Sequence, residues 1–190
     1  MGKAACSFWD LCQSSIFNRM YKYGILLGLM VLAHPLTGQR SPEKMIERRV
    51  KGKVPSASVT ELAVNPSYIR LDAREKEEFE VSHMPNAFYI GYKEFDATKV
   101  LTLLPDKDTT VVVYCSVGIR SDAIGKKLMA LGYTRVRNLS GGIFKWLNEG
   151  FPLIDSTGKE TNKIHAYNRF WGLLLQKGEK VYGPENHKGS

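Results

Sequence analysis

The sequence predicts an α/β domain: a parallel sheet of about five short strands flanked by helices, plus a C-terminal amphipathic helix. Three observations carry this. Short apolar segments of strand character alternate with segments of helical period over residues 58–155, which is the pattern of strands joined by helical crossovers. Val111-Val112-Val113-Tyr114 is apolar at every position, as suits a strand buried on both faces of a parallel sheet. Near the C-terminus, Ile164, Tyr167, Trp171, Leu174 and Leu175 fall at i, i+3, i+7, i+10 and i+11, one face of a helix.

The elements follow in order. Residues 24–33 form an uninterrupted apolar run, preceded by Arg19 and Lys22 and followed by Pro35 and a polar stretch. A basic flank, a core of about ten apolar residues and small residues at the exit read as a secretory signal. The run is shorter than the roughly 20 residues of a membrane span. Residues 1–38 are therefore expected to be a signal peptide, with Met20 as an alternative start, or an uncleaved N-terminal anchor. Cleavage would place the protein in the periplasm or outside the cell, and membrane contact is expected only if the segment is uncleaved. Residues 39–57, charged and carrying Pro42 and Pro55, read as a linker, with room for a short helix over 43–49.

Ser58 and Glu61 have capping-box spacing at the head of a short helix that Asn65-Pro66 stops. Strands are expected over 68–72, 88–90, 109–114 and 135–139. Helical segments are expected over 75–79, 98–104 and 143–147. A longer helix over 121–131 carries Ile124, Leu128 and Leu131 on one side, and Gly132 closes it. Residues 156–190 form the C-terminal helical extension.

Charge adds little to the functional reading. Of the net +8, residues 1–38 hold +2 and the remainder +6. No basic run is interleaved with aromatics, so nucleic acid is not an expected partner. The four histidines and the single cysteine of the body show no ligand spacing, and neither a metal nor another cofactor is expected. Cys6 and Cys12 lie in the segment expected to be removed, which leaves Cys115 as the one thiol. An unpaired cysteine in an exported chain is a candidate reactive group.

Cys115 stands directly after the most apolar strand, and in parallel sheets ligands bind at the carboxyl ends of strands. The segment Cys115-Ser116-Val117-Gly118-Ile119-Arg120-Ser121 is a short loop leading into a helix. Its N–H groups, with the positive end of that helix, can form an anion cradle facing the cysteine and stabilise its thiolate. Gly118 permits the backbone turn. Arg120 closes the loop, either to hold an oxyanion or to pin the loop through an ion pair.

These residues resemble the active-site segment of single-domain rhodaneses. The likeness extends to Leu71-Asp72-Ala73-Arg74 with the glutamate-rich turn behind it, to His83-Met84-Pro85-Asn86-Ala87, and to Gly141-Gly142-Ile143-Phe144-Lys145-Trp146. It covers about residues 58–154. The resemblance implies a rhodanese-like fold and a sulfurtransferase. Cys115 would carry a persulfide, and the backbone of Ser116, Val117, Gly118, Ile119 and Arg120 would cradle it. Asp72, Arg74 and Ser121 would support the loop, and His83 would be structural. The implied partners are a small sulfur donor such as thiosulfate, a thiol or cyanide-like acceptor, and in one version a protein persulfide. A catalytically silent binding or regulatory module is the alternative. Related phosphatases have five residues between the cysteine and the arginine. Here there are four, a cradle better sized for a sulfur atom than for a tetrahedral phosphate.

Overall fold

The computed structural model describes residues 42–50, 52 and 54–183. The elements are α1 (Pro42–Arg49), β1 (Ser56–Ala57), α2 (Val59–Val64), β2 (Ile69–Asp72), α3 (Lys76–Val81), β3 (Ala87–Tyr89), α4 (Ala97–Leu103), β4 (Val111–Tyr114), α5 (Ile119–Ala130), β5 (Val136–Leu139) and α6 (Gly142–Asn148). They are followed by β6 (Leu153–Ile154), β7 (Glu160–Thr161), β8 (Lys163–His165), α7 (Arg169–Gly172) and β9 (Glu179–Val181). The expectations for an export segment or anchor lie outside the described residues.

Five strands make one parallel sheet in the order β1-β5-β4-β2-β3. All four residues of the central strand β4 are buried. They alternate between two cores, as the two-residue period of a strand requires. Val112 and Tyr114 face a cluster holding Leu62 of α2 and Ile143 and Phe144 of α6. Val111 and Val113 face the other, with Val100 of α4 and Ile124 and Leu128 of α5. The sheet is therefore covered on both faces, which is why its middle strand has no polar residue.

Local signals set several boundaries. The Ser58 hydroxyl caps α2 by accepting the Glu61 N–H at 3.0 Å. Glu61's own carboxylate goes across to Arg137 on β5, so only the serine half of the expected capping box serves the helix start. Ser58→Ala is expected to lower stability by about 1 kcal/mol in urea unfolding, the usual cost of a lost N-cap. Helix α5 starts at Ile119, two residues before the expected start. Gly118, at φ +102°, serves as its N-cap, a conformation that costs glycine nothing and lets the helix follow at once.

Two expectations are corrected. The linker at 39–57 is structured over much of its length. The short helix for which 43–49 left room forms as α1, but Val54 is buried and β1 pairs with β5 at the sheet edge, where a linker was expected. A strand of two residues has no periodicity to read, so it escaped the pattern. The C-terminal amphipathic helix is not formed. Ile164 lies in β8, which pairs with β9, and among the described residues of the tail the only helix is the short α7. Tyr167 has a left-handed backbone at φ +63°, which interrupts any helix through it. Asn168 then starts α7 afresh by accepting the Trp171 N–H at 3.0 Å. Four of the five residues of the expected apolar face still pack on the domain. Ile164 and Leu175 are buried in the first cluster, with Trp171 and Leu174 against it. Asn148 at the end of α6 holds the segment, donating to the Leu174 carbonyl and accepting from the Gln176 N–H, both at 2.8 Å.

Candidate active site

Register brings the expected residues together at one sheet edge. Asp72 is paired with Tyr114 across β2 and β4, so both strands end beside Cys115. The Ala73 N–H donates to the Tyr114 carbonyl at 2.8 Å. The chain then turns through residues 115–118 into α5.

Cys115 is 1% exposed, yet it lines a cavity of about 120 Å³. Its Sγ accepts the Gly118 N–H at 3.1 Å. The Ser121 hydroxyl lies 3.5 Å from Sγ and 2.7 Å from Asn138 Oδ1. It has one proton to share between them, and the shorter contact goes to Asn138. Asn138 Nδ2 in turn donates to the Gly118 carbonyl at 3.0 Å. The first-turn N–H groups of α5 have no acceptor inside their own helix, so the positive end of α5 lies beside the sulfur. This arrangement suits an anionic atom attached to Sγ.

The loop is fixed from behind by α6. The Ile143 N–H donates to the Cys115 carbonyl at 2.9 Å and the Phe144 N–H to the Ser116 carbonyl at 3.1 Å. With those carbonyls bonded to α6, the loop backbone is fixed where the Gly118 N–H meets Sγ. The double glycine is what lets α6 come this close, since Gly142 stands against the carbonyls of Cys115 and Ser116.

Arg120 pins the loop through an ion pair. Its two terminal nitrogens donate to Glu78 of α3 at 2.6 and 2.8 Å, and one also donates to Ser116 Oγ at 2.9 Å. Ser116 Oγ donates to Glu78 Oε1 at 3.0 Å, and the Glu75 N–H donates to Oε2 at 3.0 Å. Both oxygens of Glu78 are thus occupied twice. Burial alone would raise the Glu78 pKa, but the hydrogen bonds and charge of Arg120, with Arg74 behind, hold it at about 2. Arg120 is shifted up: burial opposes this, and Glu78 outweighs it. With the guanidinium neutralised in this way, the pinning role is filled.

Asp72 and Arg74 form a fully buried pair one layer below. Arg74 donates to both Asp72 oxygens at 2.7–3.1 Å and to the Ser82 carbonyl at 2.6 Å. Neither touches Sγ; they hold the ends of β2 and α3 together beneath the loop. His83 is structural, as expected. It stacks on Phe79 with centroids 3.9 Å apart, and its backbone exchanges hydrogen bonds with Ile154.

Sequence reasoning missed five residues of this site. Glu78 was one of four glutamates within residues 75–80, and nothing local separates it from Glu75, Glu77 or Glu80. Asn138 did leave a signal: it shares a strand face with the core residue Val136, so a polar side chain sits in the apolar phase of β5. Arg49, Tyr167 and Trp171 line the cavity from segments far from the motif in sequence.

The geometry defines a thiol site at the head of a helix, held in a loop braced by ion pairs. Comparison with known proteins places the domain that carries it. The rhodanese-like domain model matches residues 57–149. Thiosulfate sulfurtransferase PspE of Escherichia coli is 35% identical over 91 residues, covering 48% of this chain and 86% of that protein. The adenylyltransferase and sulfurtransferase UBA4 of Candida albicans is 35% identical over 89 residues, covering 43% of this chain, which spans only a fifth (20%) of that relative's length. The crystal structure of a thiosulfate sulfurtransferase from Pseudomonas aeruginosa superposes with a TM-score of 0.50 at 26% identity, covering 56% of this chain and 21% of that one. The chain belongs to the rhodanese-like family. Its relatives PspE and UBA4 are sulfurtransferases by name.

Proposed function

We propose that the protein is a sulfurtransferase in which Cys115 carries a sulfane sulfur between a donor such as thiosulfate and a thiol or cyanide-like acceptor. The observation that supports it best is the placement of Sγ. It lies on the floor of a cavity, accepts the Gly118 N–H and faces the positive end of α5. The Cys115 thiolate attacks the outer sulfur of thiosulfate. A new S–S bond forms, the old one breaks, and sulfite leaves with its electron pair. The persulfide's terminal sulfur, negatively charged, sits where the loop N–H groups point, and electrostatic stabilisation of that charge lowers the barrier. Cyanide or a thiolate then attacks the terminal sulfur and restores the Cys115 thiolate. No group need be protonated or oxidised from outside.

Asp72, Arg74 and Ser121 support the loop in this reading, and Ser116 to Arg120 form the cradle. The alternative of a silent binding module drew on an amphipathic tail helix. Ile164 and Leu175 of that segment are buried in the domain's own core, with Trp171 and Leu174 packed against it, which weakens that ground. Incubating the full chain with thiosulfate is expected to add the mass of one sulfur atom to the peptide holding Cys115. Cyanide should then remove it as thiocyanate. A Cys115 left unmodified by both thiosulfate and polysulfide would sink the reading.

A further inference from the structure

We infer that Arg49, Tyr167 and Trp171 form a second part of the donor site, and that this part selects an organic sulfane-sulfur anion, of the thiosulfonate class, over inorganic thiosulfate. The inference rests on the sulfur-transfer reading and adds the substrate class. Residues 57–149 match the family, and they supply the floor of the cavity. Its remaining wall comes from outside that range: Arg49 at the end of α1, Tyr167 in the connection after β8, and Trp171 on α7.

This wall is built. Tyr167 holds a left-handed backbone, φ +63°, which costs a bulky residue of the order of 1 kcal/mol. Two contacts hold it there. Its N–H donates to Nδ1 of the buried His165 at 3.2 Å, and its ring lies 5.0 Å from the Arg120 guanidinium. The next residue, Asn168, caps α7 through the Trp171 N–H and so sets the indole's place. Strain retained beside a reactive thiol is the kind that function maintains.

Charge and shape then choose the ligand. Arg120 is neutralised by Glu78, with Glu75 a further 3.9 Å away. Arg49 has no counter-charge among the described residues. Among the described residues the cavity thus offers Arg49 as a cation without an ion-pair partner, set with two aromatic rings and the side chains of Val117 and Ile119. Thiosulfate is a dianion with no apolar part and leaves that wall unused. A thiosulfonate carries a single charge and an organic group. A closed apolar cavity of about 150 Å³ takes up benzene, so a cavity of about 120 Å³ that is open on one side accommodates a ring. The chemistry is that of the parent reaction. The Cys115 thiolate bonds to the terminal sulfur of the thiosulfonate, the bond from that sulfur to the sulfonyl sulfur breaks, and a sulfinate leaves with the electron pair.

The test uses the full chain with cyanide as acceptor and compares kcat/KM for benzenethiosulfonate, methanethiosulfonate and thiosulfate, after subtraction of the uncatalysed rates. The first two share their leaving chemistry and differ in the group that reaches the wall. In the wild type the benzene compound is expected to lead the methane compound about tenfold, the effect of burying part of one ring. In Trp171→Ala the ratio is expected to fall to near one. Trp171→Leu, which keeps apolar volume on the core side, should fall likewise and guards against a folding defect. Arg49→Gln is expected to raise KM for both thiosulfonates about threefold, as loss of one exposed charge would, while the ratio between them persists. A wild-type ratio near one, or a ratio that neither Trp171 variant changes, overturns the inference while thiosulfate turnover leaves sulfur transfer standing. No turnover and no adduct with any donor overturns both.

Discussion

Glu78→Ala is expected to lower stability by about 3 kcal/mol, the lower end of the cost of breaking a buried ion pair, and to reduce sulfur transfer about a hundredfold, the effect of a displacement of about 1 Å at a reacting atom. The carboxylate accepts four hydrogen bonds, from Arg120 twice, from Ser116 and from the Glu75 N–H. Removing it leaves a largely buried guanidinium with only the more distant Glu75, at 3.9 Å, as counter-charge and frees the hydroxyl that ties the loop to α3. The loop then loses the tether on its open side while α6 still holds it from behind, so Gly118 and Sγ shift relative to one another. Urea unfolding and steady-state sulfur transfer to cyanide check the two halves of the expectation.

The same carboxylate predicts an acid response. Its folded pKa of about 2 lies below its ordinary 4.5. A depressed carboxylate stabilises the folded state at pH above its unfolded value and loses that contribution as pH falls through the folded one. The window therefore runs from about 4.5 down to about 2, and the contribution at stake is about 3 kcal/mol. Glu78→Gln is expected to be less stable than the wild type at neutral pH and to converge with it towards pH 2.

What was legible in the sequence follows from where the information resides. The β4 run is buried on both faces, so each of its residues had to be apolar, and the strand could be read directly. The Cys115 loop could be read because a helix start, a glycine with positive φ and a closing arginine are local devices within a few residues. Glu78 could not be singled out, because its role is set by a partner 42 residues away. The tail shows how a period misleads. Ile164, Trp171, Leu174 and Leu175 do face the core, but a strand, a left-handed tyrosine and a separate helical turn bring them there. The apolar spacing recorded the burial and not the backbone path. Asn168, whose side chain restarts the helix, was the local signal for that break.

Gly142→Ala is expected to damage both the fold and the site, by about 3 kcal/mol or more in stability and by a hundredfold or more in activity. Its φ of +57° is already unfavourable for a residue with a Cβ. The larger cost is contact. A Cβ built there would overlap the Cys115 carbonyl oxygen and lie 2.7 Å from the carbonyl carbon and oxygen of Ser116. These are backbone atoms at the base of the active loop, and no side-chain rotation relieves them. Either α6 retreats or the loop moves. In both cases the bonds from the Ile143 and Phe144 N–H groups to those carbonyls lengthen, and the orientation of the loop N–H groups towards the persulfide is lost with them. Gly141→Ala provides the comparison: there the atoms nearest a Cβ belong to the Lys145 side chain on α6, from its Cβ at 2.7 Å outward to 3.3 Å, and φ is +76°. That collision is with α6 and not with the carbonyls of the active loop, so the variant should carry the backbone penalty of about 1 kcal/mol plus a packing cost at Lys145, and retain more activity than Gly142→Ala. Thermal unfolding and thiocyanate production, measured on the two variants side by side, separate backbone strain from collision with the site. If Gly142→Ala behaved like Gly141→Ala, the close approach of α6 to the loop would not be what orients it.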